Sequence, residues 1–113
     1  MILQILKIVA AVATIITGVV SVFWPEKVTG FTGLQPVGGR GITEIRTILG
    51  ALFVGLGAAV LFYNSQESYV VLGITYLVMA LVRGISIFVD KAPESSNTIS
   101  FVVELVLGII LIV

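Results

Sequence analysis

Four long apolar runs, separated by three polar stretches, set the pattern of this chain. They fall at about 2–24, 42–63, 69–89 and 98–113. Few strongly polar residues interrupt them: Gln4 and Lys7 in the first, Glu44 and Arg46 at the start of the second, Arg83 in the third and Glu104 in the fourth. A helix needs about 20 residues to cross the hydrocarbon core, with a range of about 17 to 25. The first three runs meet that length. The fourth is short and spans only with help from a thinner bilayer or a different tilt. The pattern predicts an all-α membrane protein, a four-transmembrane-helix antiparallel bundle forming a single domain over residues 1–113.

The connections differ in kind. Residues 25–41 hold two prolines, five glycines and three charged residues. Pro25 ends the first helix because it cannot donate to the hydrogen-bond ladder. The stretch VTGFTGL at 28–34 is mildly apolar and suits the headgroup region. Residues 64–68 (NSQES) read as a tight polar turn, which makes the second and third helices a hairpin. Residues 90–97 form another polar loop, with Asn97 or Thr98 expected to cap the fourth helix. The Ala11-Val12-Ala13 triplet has the form of a signal-peptide cleavage site. Lys7 interrupts the would-be apolar core and the run continues to Trp24, so a retained span is the expectation.

Composition sharpens the picture. The chain is 58% hydrophobic and 11% charged, whereas a soluble domain carries about a quarter charged residues. Its solvent is therefore the lipid bilayer. Net charge is zero, which leaves no basic footprint for nucleic acid. With no Cys and no His, disulfides, thiol redox chemistry, zinc sites and imidazole catalysis are excluded, and no cofactor is implied. Lys27, Arg40 and Lys91 share one side of the bundle, against Lys7 on the other. The positive-inside rule then puts both termini outside.

Small residues recur at helical spacing. The first helix carries Ala10, Thr14 and Gly18, with Ala13, Thr17 and Ser21 beside them. The second carries Thr43, Thr47, Ala51, Gly55 and Ala59, the third Tyr76, Ala80 and Gly84, the fourth Ser100, Glu104 and Gly108. Such stripes bring helices together in lipid. The simpler reading is packing inside one bundle; the alternative is a homodimer seam. Phe23, Trp24, Tyr63 and Tyr69 lie at helix ends, where aromatic belts belong, and Lys7 is expected to snorkel to the outer surface.

The intramembrane charges converge at one depth. At 1.5 Å per residue, Arg46, Arg83 and Glu104 lie roughly 6 to 10 Å inside the same interface, with Glu44 slightly shallower. Pairing offsets the cost of charge in lipid, so a Glu44–Arg46–Arg83–Glu104 network is expected. Glu44 and Arg46 lie about 200° apart on an ideal helix, so they share a face only if the first turn is irregular. Tyr76, Arg83 and Asp90 recur every seven residues, making Tyr76 and Asp90 candidate pocket lining. The network reads either as a lock between helices or as a polar pocket for a ligand.

Pro25, Glu44-Ile45-Arg46 followed by Gly50, Gly55 and Gly57, Arg83-Gly84 with Asp90, and Glu104 together carry a resemblance. In order and spacing they resemble a family of small four-helix bacterial membrane proteins. That family is a domain of unknown function with a Glu-Leu/Ile-Arg triplet, distantly similar to DoxX-like proteins. The resemblance implies a multi-pass protein of the bacterial inner membrane and supplies no activity. Three functional readings follow. The first is a non-catalytic accessory or ligand-binding bundle. The second is a small dimeric proton- or cation-coupled transporter using Glu104. The third, an enzyme, ranks last, since arginines beside the carboxylates hold them charged instead of poised for proton transfer.

Overall fold

A computed structural model describes all 113 residues. The order is α1 (Ile2–Phe23), a 3₁₀ turn (Pro25–Lys27), α2 (Val28–Thr32), α3 (Gly38–Glu44), a π-helical segment (Ile45–Ala51), α4 (Leu52–Tyr63), α5 (Gln66–Val89) and α6 (Ser95–Ile112). There are no strands. α3, the π segment and α4 run on as one helix, so four helices are long and apolar enough to cross a membrane: Ile2–Phe23, Gly38–Tyr63, Gln66–Val89 and Ser95–Ile112. These are called the first to fourth spans below. The longest dimension of the molecule is 43 Å, close to the ≈ 40–45 Å of a bilayer with its headgroup regions.

Only 20 of 113 residues are buried. Ile5, Val9, Val12 and Ile16 of the first span point outward, as do Val71, Ile74, Val78 and Leu81 of the third. Meanwhile Lys7, Thr14, Ser21 and Glu104 are buried. This inverts the water-soluble arrangement, in which charged residues are rarely inside, and it fits a lipid surround.

The spans form two tight pairs. The first packs along the second, and the third along the fourth, with slimmer contact between pairs. Glycine explains the tightness. A methyl carbon placed on Gly18 would lie 2.6 Å from the Gly50 carbonyl oxygen, and one on Gly57 would lie 2.9 Å from that of Ala11. In the other pair, a methyl on Gly73 would lie 3.0 Å from the Gly108 carbonyl oxygen. With little hydrophobic force between helices in lipid, such backbone approach supplies the dispersion energy. The pairs meet through side chains at the end that holds both chain termini, in a core of Ala10, Ala11, Val60, Tyr69, Leu72, Tyr76 and Leu111.

Several expectations change here. The four-residue stripe of the second span faces outward: Thr43, Thr47, Ala51, Gly55 and Ala59 are all exposed. Its buried residues are Ile45, Gly50, Gly57 and Val60. The π segment is the cause. Its i→i+5 bonding stacks Gly50 over Ile45, which an α-helix would place about 140° apart. The stripes of the other three spans do face inward, where Ala10, Thr14, Gly18, Ala80, Glu104 and Gly108 are buried.

The hairpin turn is shorter than NSQES. Asn64 takes a left-handed conformation (φ 44°), and Ser65 caps the third span in a reciprocal box with Ser68. Tyr69 is not part of an interfacial belt. It is 1% exposed and donates its hydroxyl to Asn64 Oδ1 at 2.7 Å. Phe23, Trp24 and Tyr63 are exposed at span ends. Lys7 lies inside, 7% exposed, because Lys7, Thr14 and Ser21 share the buried face at seven-residue spacing. No fully buried side-chain nitrogen lacks a partner, so the unpaired Lys7 ammonium keeps an outlet while its stem is covered by the bundle.

Candidate functional site

At the end opposite the termini the two pairs spread apart, and a cavity of about 270 Å³ lies between them. Its polar wall comes from Arg83 of the third span and Glu104 of the fourth. Arg83 Nε donates to Glu104 Oε1 at 2.8 Å and Nη2 to Oε2 at 2.8 Å. This parallel two-bond fork is the strongest geometry available to such a pair. The Arg83 side chain is 31% exposed and Glu104 7%.

A third bond fixes the arginine. Nη1 donates to Asn97 Oδ1 at 2.9 Å, and Asn97 Nδ2 donates to the Ala92 carbonyl at 3.0 Å. Asn97 does not cap the fourth span, and neither does Thr98. Glu94 is the N-cap residue and the helix begins at Ser95, so Asn97 already lies in its first turn, two turns from Glu104 on the same face. The seven-residue interval between Asn97 and Glu104, shared with the buried Leu111, was the available signal that Asn97 belongs to the site.

The remaining predicted charges lie elsewhere. Glu44 accepts from Arg40 Nε at 2.9 Å in an exposed i,i+4 pair. Arg46 is exposed and forms no ion pair. The structure therefore brings together Arg83 and Glu104 and leaves Glu44 and Arg46 outside. The local i,i+4 partner satisfies Glu44, and the π segment that begins at Ile45 turns Ile45, not Arg46, into the bundle. Asp90 is also outside. The third span ends at Val89, leaving Asp90 exposed as its C-cap.

Tyr76 does line the cavity. Thr14 spends its single hydroxyl proton on the Ala10 carbonyl at 2.9 Å. The 2.5 Å hydrogen bond between the Thr14 and Tyr76 hydroxyls links the first pair to the second. Thr17 and Ser21, also at the cavity, donate to Ala13 and Thr17 carbonyls of their own helix. Their oxygens remain free to accept. Phe31 and Thr32 of α2 close the cavity at its mouth. Within α2 and its C-terminal turn, Thr29 and Thr32 donate to the Leu34 and Val28 carbonyls, and the helix ends at Gly33 with φ +75°, a left-handed cap that favours glycine.

Met79 and Arg83 line this cavity and also a shallow groove on the outer face of the third span, beside Val78 and Val82. These two side chains form the partition between the bundle interior and the lipid-facing surface.

Among curated proteins and among solved structures, nothing matches the chain. A family model does match, over residues 2–113, and its description is Domain of unknown function (DUF4345). The match covers essentially the whole chain, and the chain belongs to that family of domain of unknown function proteins.

Proposed function

We propose that this small membrane protein is a non-catalytic accessory bundle that binds a small molecule between its two helix pairs. The observation that carries this reading is the 270 Å³ cavity with a doubly hydrogen-bonded ion pair on its wall. Ligand sites are typically concave and mostly apolar, with a few placed polar groups. Glu104 serves poorly as a proton or cation carrier in this arrangement, because both its oxygens are engaged by Arg83. The side bearing Arg40 and Lys91 is assigned to the cytoplasm of a bacterial inner membrane by the positive-inside rule.

Native mass spectrometry of protein extracted in mild detergent tests the reading. Wild type is expected to carry a bound species of a few hundred daltons at most, and a folded Ser100→Leu variant to lose it. Ser100 lines the cavity, so the added side chain competes for the same space. Bare protein in both cases would set the ligand-binding role aside.

A further inference from the structure

The chemistry of the cavity wall narrows the ligand, on the reading that the cavity is a binding site. The Arg83–Glu104 pair is neutral as a unit. An anion can take the whole guanidinium only by displacing Glu104, and a cation the carboxylate only by displacing Arg83, while an ion that displaces neither adds an unpaired charge beside a neutral pair. Either exchange leaves one buried charge without its partner, which is strongly unfavourable. The site is thus set against charged headgroups.

It is well supplied for a neutral hydroxyl. A guanidinium has five N–H groups, and Arg83 commits one from each nitrogen: Nε and Nη2 to Glu104, and Nη1 to Asn97. Two N–H groups remain. Ser100 lines the cavity and makes no side-chain hydrogen bond within the protein. Thr17 and Ser21 have given their protons to backbone carbonyls and present oxygens. Arg83, Ser100, Thr17 and Ser21 all line this one cavity, so groups able to donate and groups able to accept border the same space, as a group that both donates and accepts requires. The rest of the wall is apolar, with Leu49, Phe53, Val103 and Leu107.

Size and route agree. At about 30 Å³ per water molecule in the liquid, 270 Å³ corresponds to about nine waters, room for a chain of about ten heavy atoms. The groove beyond Met79 and Arg83 carries Val78 and Val82, 53% and 58% exposed, on the lipid-facing surface. A ligand arriving there comes from the bilayer.

We propose that the cavity binds a neutral, hydroxyl-headed, single-chain amphiphile drawn laterally from the membrane, its head on Arg83 and Ser100 and its chain toward Leu107. The test uses the full chain in lipid nanodiscs. Radiolabelled 1-decanol is measured by scintillation proximity, with decyl sulfate and decyltrimethylammonium as competitors of equal chain length. Ala13→Leu and Ser100→Leu fill the cavity from opposite walls, and circular dichroism checks that each is folded.

Saturable decanol binding is expected, at least tenfold tighter than either ion, and lost in whichever filled variant folds. If an ion competes as well as decanol or better, the assignment of a neutral ligand is overturned and the binding cavity survives. If decanol binds equally to wild type and filled variants, it is only partitioning into lipid, and the assignment falls. If no probe binds saturably, both this inference and the binding role fall.

Discussion

Arg83 spends three donors on two residues of one neighbouring helix, Glu104 and Asn97, and the geometry ties the third span to the fourth. Breaking a buried ion pair by removing one partner costs about 3 to 5 kcal/mol, much of it from the charge left behind. Arg83→Gln and Glu104→Gln are each expected to lower stability by about 3 kcal/mol, at the low end because Arg83 is partly exposed. The double variant should cost less than the sum of the two. Thermal unfolding of all three in nanodiscs checks this, and strict additivity would mean that the pair is not coupled. Asn97→Ala should be milder, about 1.5 kcal/mol, the low end for a hydrogen bond to a charged group. At this scale much was legible in the sequence. Arg83 and Glu104 lie at matching depths in adjacent spans, and a charge in lipid needs an opposite charge. Arg46 lies at the same depth, yet depth fixes height and not azimuth, and the azimuth was decided by a π segment. Asn97 was hidden by its resemblance to a cap residue.

The second span shows how an element departs from a simple periodicity. Small residues every fourth position suggested its inner face, but the π segment sets the pairing of Ile45 with Gly50 and hands the seam to Gly50 and Gly57. Nothing in the propensities of Ile45–Ala51 announces a π-helix, which is rare. The two classes of glycine should behave oppositely. Gly18→Ala would push a methyl to 2.6 Å from a backbone oxygen and 2.8 Å from the Val54 nitrogen, neither of which moves easily. A loss of about 1 to 3 kcal/mol is expected, as for overpacked cores. Gly55→Ala meets nothing within 4 Å and should be neutral or stabilising by up to about 1 kcal/mol through helix propensity. Melting temperatures of the two variants decide the matter, and equal shifts would rule out the proposed seam.

The whole molecule has one closed end and one open end. Near the termini the pairs are joined by Tyr69, Leu72, Leu111 and the Thr14–Tyr76 bond; at the other end they diverge around the cavity and α2 covers the mouth. Four spans and an antiparallel order follow from the apolar runs, since each connection carries polar residues and three of the four runs are long enough unaided. The cavity does not follow from them, because it depends on which seams are tight. The proposed orientation has a direct check, helped by the absence of native cysteine. Ser65→Cys should react with an impermeant maleimide on intact spheroplasts, and Ser96→Cys only after the membrane is opened. The opposite result would invert the assignment. The outward Thr43–Ala59 stripe, with nothing against Gly55, keeps the homodimer seam as a proposal for that face.

The glycine seams also bear on how the molecule is made. Gly18, Gly50 and Gly57 all precede the turn at Asn64–Ser65, while Gly73, Gly84 and Gly108 all follow it. Each half of the polypeptide thus contains one finished backbone-to-backbone seam and needs nothing from the other half to close it. During synthesis the amino-terminal pair has every residue of its seam before the third span leaves the ribosome. The cavity is lined from both halves, so it exists only once they have docked.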